Sequence, residues 1–284
     1  MQVTETVDGF RKALDVERGQ GRRVGLVPTM GFLHAGHRSL IEQAASDNDV
    51  VAVTVFVNPL QFGPSEDLAA YPRNLDRDRV VAQEAGATHL FAPSVEEMYP
   101  TGEPLTTVGV QTISEPLEGR SRPGHFAGVA TVVAKLFAIA GPVAAYFGEK
   151  DYQQLAVIRR MAADLSFPVE VVGCPTVREP DGLALSSRNV YLTAEERAAA
   201  PTLHAALQAG RACIEEKGER DPAEVRRIMH ERLAAEPRFT VDYAEVVNAS
   251  DLTTPTRLVG EVRLLAAARL GNARLIDNTG AIAR

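Results

Sequence analysis

The sequence predicts an α/β protein: a doubly wound parallel sheet over residues 1–176 and a smaller α+β domain over 177–284. Three observations carry this. Residues 50–57, Val-Val-Ala-Val-Thr-Val-Phe-Val, form a nearly unbroken β-branched run, the mark of a central parallel strand buried on both faces. Short apolar runs alternate with helical-period segments across brief turns, which is β-α-β grammar. Beyond Val177 two capped helices follow each other and strand-like runs come after them, a different grammar. A chain of 284 residues is long enough for two domains with a core each.

Taken in order, Thr6 can cap a first helix whose Val7, Phe10 and Leu14 form an apolar stripe, ended by Gly19 and Gly21. The Val- and Leu-rich run from Val24 reads as a buried strand that Pro28 and Gly31 break. Behind Gly36-His37, the residues Leu40, Ile41, Ala44 and Ala45 repeat at helical spacing. Asn58-Pro59 stops the central strand. Residues 60–78 mix Pro, Gly and charge, predicting a long loop and then a helix over 76–85. Residues 89–92 read as a short strand, 93–115 as an excursion with one further strand over 106–110, and 126–140 as a helix. A strand over 143–147, the Gly148 turn, a helix capped by Asp151 and a strand over 168–173 complete a Rossmann-like sheet. In the second domain Thr193 and Glu196 form a capping box for one helix to about Glu216, and Asp221-Pro222 opens another. Strands are expected over 241–247, 261–268 and 273–276, the last two joined as a hairpin at Gly271-Asn272.

Apolar residues make up 45% and charged residues 24%, an ordinary soluble composition, and the net charge of −7 argues against general nucleic-acid affinity. A phosphate site must therefore be local. Cys174 and Cys213 lack any CxxC or His cluster and read as reduced, packed thiols. The N-terminus has no basic flank followed by an apolar core, and no apolar run reaches the length of a membrane span. A cytoplasmic location without membrane contact is expected.

Four clusters fall at strand ends or at the domain boundary, where open α/β folds bind ligands. At the first strand-turn-helix junction, His34 and His37 are spaced so that both imidazoles can donate to one phosphate, beside the positive end of a helix. Two loop histidines, one packed and one solvated, are the plain alternative, and zinc finds no Cys or third His nearby. Asn58 and Gln61 follow the central strand and are either a polar pair or a simple turn. Lys150 opens a helix after Gly148 and either neutralises a phosphate or stays solvated. Ser186, Ser187 and Arg188 put two hydroxyls and a guanidinium in a row, which alone is a common loop.

Together these blocks resemble one family. Pro-Thr-Met-Gly-Phe-Leu-His-Ala-Gly-His is similar to the HxGH signature of the nucleotidyltransferase superfamily, and Leu-Ser-Ser-Arg-Asn is similar to its second signature, the counterpart of KMSKS in class I tRNA synthetases. Phe-Val-Asn-Pro-Leu-Gln-Phe, Tyr71-Pro-Arg, Arg122-Pro-Gly-His-Phe-Ala-Gly and Phe-Gly-Glu-Lys-Asp-Tyr-Gln-Gln resemble the pantoate–β-alanine ligases, in order along nearly the whole chain. Leu185 stands where members often carry Met, a volume-conserving difference.

The resemblance implies an ATP-dependent ligase that condenses (R)-pantoate with β-alanine through a pantoyl adenylate. ATP would meet Met30, His34, His37, Gly148, Lys150, Asp151, Val177, Leu185, Ser186, Ser187 and Arg188, with the histidines, Lys150 and residues 186–188 as the catalytic donors. Pantoate and β-alanine would meet Met30, Asn58, Gln61, Phe62, Arg122 and Gln154. Mg²⁺ would bridge the phosphates with Asp78 as outer ligand, although Asp76 and Asp78 flank Arg77 in what also reads as a solvated helix face. A homodimer, and closure of the second domain over ATP, are expected on the same basis. The other readings are a different adenylyltransferase of this fold and a nucleotide-binding protein without turnover. The acidic charge and the Gln61/Gln154 pair speak against tRNA, and the intact donor set speaks against an idle protein.

Overall fold

In a computed structural model, which describes residues 1–63, 68–69 and 71–284, the chain divides into two compact units. One comprises Met1–Glu149 with Gln153–Pro175, the other Lys150–Tyr152 with Thr176–Arg284.

The first unit begins with β1 (Gln2–Thr4) and α1 (Val7–Gly19), whose first turn Thr6 caps by accepting from Gly9 N at 3.2 Å. β2 (Val24–Thr29), α2 (Ala35–Asp47) and β3 (Val50–Val55) follow, then a 3₁₀ turn at Pro59–Gln61, α3 (Leu75–Glu84), β4 (His89–Phe91) and the single turns α4 (Val95–Met98) and α5 (Glu118–Ser121). The long helix α6 (His125–Ala140), β5 (Val143–Gly148), a 3₁₀ turn Glu149–Asp151, α7 (Tyr152–Asp164) and β6 (Val169–Cys174) end the series. The loop expected over 60–78 lies outside the described residues at 64–67 and 70.

All six strands run parallel in the order β1-β4-β3-β2-β5-β6. The chain winds from β2 through β3 to β4 on one side and resumes with β5 on the other side of β2. The order reverses there, so the carboxyl ends of β2 and β5 flank the switch point where such sheets bind ligands. Val51, Val53 and Ala52 of β3 are buried on both faces, as their uninterrupted apolar run requires. Phe10 of α1 stacks on Phe91 of β4 at 4.5 Å, and full burial of such a ring contributes about 1.5–3 kcal/mol. α6 is almost wholly buried, which its near-continuous apolar sequence demands.

The second unit places α8 (Ala194–Ala199), α9 (Thr202–Glu215) and α10 (Pro222–Ala234) with an antiparallel sheet in the order β7 (Phe239–Asn248), β8 (Gly260–Leu270), β9 (Ala273–Ala283). Leu203, Leu207, Met229, Leu233, Val246 and Leu264 belong to its own core. Thr193 and Glu196 make the expected capping box, and Leu270 pairs with Ala273 across the Gly271-Asn272 turn.

Three differences from the sequence reading have physical causes. The single helix expected from Thr193 to Glu216 is two, because Pro201 has no N–H to continue the ladder; Ala200 and Pro201 both keep helical backbone angles, so the break is in the hydrogen bonding. Residues 106–110 form no strand; Val108 N donates instead to Thr131 Oγ1 on α6 at 2.9 Å. β9 continues past Ile276 to Ala283 although Asp277 and Asn278 interrupt its apolar pattern. Both cysteines are unpaired and buried, and burial, with Asp47 and Glu149 adding, pushes the Cys174 thiol up to about 11. No helix among the described residues is long and apolar enough to cross a membrane.

Candidate active site

The residues singled out from the sequence divide between the two units, and each group is built locally. At the end of β2, Thr29 Oγ1 donates to Thr54 O (2.6 Å) and accepts from Gly31 N (3.1 Å), which starts the turn. Gly31 has φ +83° and Phe32 has φ +51°, so the chain passes through two left-handed residues in succession. For Phe32 this costs roughly 1–2 kcal/mol. Asp78 on α3 offsets the cost: its Oδ2 and Oδ1 accept from Phe32 N (2.8 Å) and Leu33 N (2.7 Å), and a hydrogen bond to a charged group is worth about 1.5–3 kcal/mol.

The turn delivers His34 to the N-cap of α2, where it and His37 cap each other reciprocally. His34 Nδ1 accepts from Gly36 N at 3.1 Å, and His37 Nδ1 accepts from His34 N at 3.3 Å. An acceptor nitrogen carries no proton, so in each neutral ring the proton resides on Nε2, which becomes the donor. The ring centroids are 4.1 Å apart at the positive end of a helix. Gly36 is required here: an added Cβ would stand 2.9 Å from His34 Cε1 and displace the ring.

Past β3, Gln61 is held from two directions. Its Oε1 accepts from Asn58 Nδ2 (3.0 Å), while Asn58 Oδ1 accepts from the Tyr99 hydroxyl (2.8 Å) and from Leu60 N (3.3 Å). Asn58 Nδ2 also donates to Gly128 O at 3.1 Å, so this amide cannot rotate without losing bonds at both ends. With Oε1 engaged, the amide polarity of Gln61 makes Nε2 its donor end. The Gln61 carbonyl accepts from His125 Nδ1 (2.9 Å) and Arg122 Nη2 (3.4 Å), and Arg122 Nη1 donates to His125 Nε2 (3.0 Å). α6 approaches this turn closely; a Cβ on Gly128 would stand 2.1 Å from Leu60 O. Asn58, only 1% exposed, is therefore occupied in orienting Gln61, a role its sequence position did not reveal. Phe62 packs edge-on against Tyr71 at 5.8 Å, and Met30 and Gln154 are half-buried. The neighbouring Gln153 pins the 113–118 segment by donating to Ile113 O and Pro116 O and accepting from Glu118 N. At Gly148 an added Cβ would meet no protein atom within 4 Å, so bare backbone ends β5.

In the second unit Lys150, Ser186, Arg188, Asn189, His204 and Asp277 line one cavity. The strip preceding the second signature is a short hairpin: Arg178 bridges Ala184, and Leu185 N donates to Val177 O at 2.9 Å. Ser186 caps the following 3₁₀ turn, Ser187–Tyr191, by accepting from Arg188 N, and Ser187 is its first residue. Lys150 Nζ is 3.6 Å from the Asp151 carboxylate. Asp277 is 4% exposed and pairs with Arg178 through both oxygens (2.7 and 2.9 Å), with His204 Nδ1 at 3.5 Å. Burial pushes the Asp277 carboxyl up, but His204, Arg178 and the Asn278 N–H outweigh burial and hold it below the usual carboxylate value.

The metal expectation fares differently. Asp78 is 1% exposed and directs both oxygens at backbone N–H groups, and no cluster of three His, Cys, Asp or Glu able to hold a metal occurs among the described residues. The structure gives Asp78 a different task from the expected outer Mg²⁺ ligand: it braces the turn before His34.

A doubly wound sheet whose first central strand leads into a helix capped by an HxGH histidine pair defines a class, the nucleotidyltransferase-like α/β proteins. Within that class the family model of the pantoate-beta-alanine ligases matches residues 2–280, and the chain belongs to that family. The pantothenate synthetase of Thermus thermophilus is 54% identical over 279 residues, 98% of either chain, and that of Moorella thermoacetica is 52% identical over 278 residues, again 98% of either chain. The solved structure of the Thermus thermophilus protein superposes with a TM-score of 0.91 over 98% of this chain and 99% of that one. The pantoate-beta-alanine ligase of Francisella tularensis, solved with beta-gamma ATP and beta-alanine, is 35% identical with a TM-score of 0.78, covering 98% and 97% of the two chains.

Proposed function

We propose that this ligase condenses (R)-pantoate with β-alanine in two steps driven by ATP. A pantoate carboxylate oxygen attacks the α-phosphorus and pyrophosphate leaves; the β-alanine amine then attacks the acyl carbon, loses a proton, and AMP departs. The observation that carries this reading is the reciprocal cap of His34 and His37, whose Nδ1 bonds to the backbone commit both Nε2–H groups to donation. A weak nucleophile meeting a polyanionic chain needs fixed donors and alignment rather than an activated side chain, and preorganised donors supply that.

Each remaining residue has a part in the reading. Lys150 and Arg188 neutralise the phosphates, Ser186 and Ser187 donate hydroxyls to them, Asp151 takes the ribose, and Gly148, Val177, Leu185 and Met30 line the nucleotide site. Gln61 offers its Nε2 to pantoate with Gln154, beside Phe62 and Met30, while Asn58 keeps Gln61 in that orientation. The Arg122 guanidinium is assigned to the β-alanine carboxylate. No step needs a metal held by protein side chains. The homodimer and the cytoplasmic location belong to this proposal, and a solution mass of twice 30.6 kDa tests the former. So does closure of the smaller unit; scattering unchanged by ATP and pantoate would count against it.

The decisive experiment is isotope exchange between pyrophosphate and ATP in the presence of pantoate and the absence of β-alanine. Exchange that vanishes when pantoate is left out establishes the acyl-adenylate step and its acid together. ATP binding without exchange, across a panel of carboxylates, refutes the reading in favour of a binding protein.

A further inference from the structure

Two adjacent residues of β9 lie outside every motif above, yet each holds one of the phosphate-binding elements. Asn278 Nδ2 donates to the main-chain carbonyl of Lys150 at 2.8 Å. Its Oδ1 accepts from Arg263 Nε at 2.7 Å, and the Arg263 guanidinium lies 4.0 Å from the ring centroid of Tyr152, two residues beyond Lys150. Tyr152 in turn donates its hydroxyl to Ala249 O at 3.0 Å. The backbone that carries the lysine is thus tied to the sheet on both sides of its side chain.

Asp277 does the same for the other element. Its two oxygens take both Nη atoms of Arg178, and Arg178 Nη1 also donates to Gly182 O at 3.0 Å across the tip of the 178–184 hairpin. That hairpin ends at Leu185, and Ser186, Ser187 and Arg188 follow directly. A fork-to-carboxylate pair fixes orientation as well as distance, which a point charge does not. The two anchors are themselves joined, since Asn278 N donates to Asp277 Oδ1 at 2.7 Å and Arg178 Nη2 to Asn278 O at 3.3 Å. Displacement of a catalytic donor by about 1 Å can cost on the order of a hundredfold in rate, so such anchoring bears on chemistry as well as on folding.

We propose that Asp277 and Asn278 are positioning residues for adenylate formation: Asn278 sets the backbone of Lys150, and Asp277, through Arg178, sets the hairpin from which residues 186–188 project. This rests on the assignment of Lys150 and residues 186–188 to the ATP phosphates. The role is specific to the first step, because pantoyl adenylate has already lost the two terminal phosphates that these donors neutralise.

Two variants test it. Asn278→Asp keeps the shape and the acceptor for Arg263 but sets a carboxylate oxygen against the Lys150 carbonyl; Arg178→Lys keeps the charge beside Asp277 and loses the fork. Both half-reactions are measured, pyrophosphate–ATP exchange with pantoate and the reaction of synthetic pantoyl adenylate with β-alanine, together with the melting temperature. In each variant the exchange rate is expected to fall at least about tenfold with a raised KM for ATP, while the second half-reaction stays within about threefold of the parent. Equal losses in both half-reactions, or unchanged exchange, overturn the proposal; should Asn278→Asp fail to fold, Arg178→Lys decides it. Lys150→Ala is run in parallel. Normal exchange there overturns the ATP assignment itself, and the proposal with it. Exchange lost in Lys150→Ala but normal in the other two overturns only the positioning role.

Discussion

At the scale of single residues, Asp78 shows what geometry adds: resemblance suggested a cation ligand and the charge run a solvated face, whereas the carboxylate is buried on two backbone N–H groups. As a cation ligand it would matter in proportion to the metal; as the brace of Phe32 and Leu33 it matters to the turn regardless. Asp78→Asn turns one acceptor into a donor facing a buried N–H, so about 1–3 kcal/mol of stability should be lost, equally with and without Mg²⁺. Denaturant titrations in the two buffers check this; a loss confined to the Mg²⁺ buffer would restore the ligand role. Lys150→Ala removes one preorganised cation, and pyrophosphate exchange should drop by about two or more orders of magnitude. The histidine pair, Lys150 and residues 186–188 stood out as candidates in the sequence because their motifs are contiguous, and the structure caps one histidine with the other and sets Lys150, Ser186 and Arg188 on one cavity. Asn58 was legible as a polar residue after a strand, but its employment was not, since Tyr99 and Gly128 reach it from distant parts of the chain.

At the scale of elements, the relay from Tyr99 through Asn58 to Gln61 connects the segment after α4 to the turn after β3. Tyr99→Phe deletes the hydroxyl that fixes the polarity of the Asn58 amide. The expected result is a several-fold rise in the KM for pantoate with the KM for ATP unchanged, read from initial rates; a change in the ATP constant alone would contradict the relay. Strands β2 to β6 were readable as short apolar runs, α1 and α10 from their caps and α2 from its helical spacing, whereas the edge strand β1 was not anticipated. What escaped was set by tertiary partners. Residues 106–110 have strand-like composition, yet their backbone is claimed by Thr131 of α6, and β9 extends through Asp277 because β8 supplies a matching ladder and Arg178 the counter-charge. The sequence reading ran one helix through Pro201, although a proline inside a helical stretch removes a ladder donor.

At the scale of the whole molecule, two buried groups predict the response to acid. Burial, only partly opposed by Glu17, holds the His89 imidazole below its ordinary value, so the unfolded chain binds the proton first and stability is lost as pH falls below about 6.5. The Asp277 carboxyl, with its depressed value, gives stability that is complete above about 3.9 and disappears as pH falls through its folded value. Melting temperatures from pH 8 to pH 3 should decline in these two steps, and His89→Gln should flatten the upper one only. A single decline beginning near pH 4 would show that His89 does not contribute.

Lys150–Tyr152 interrupt a long run of the first unit, yet cluster with the second. Local opening proceeds by cooperative groups rather than by chain order. The main-chain amides of these three residues should therefore report on the β-sheet of Asn278, and in deuterium oxide their protection should track that of β8 and β9 and be out of step with the residues that flank them. These three residues would then serve as a clock for events in the other unit, read from a short stretch that the chain order places in the first.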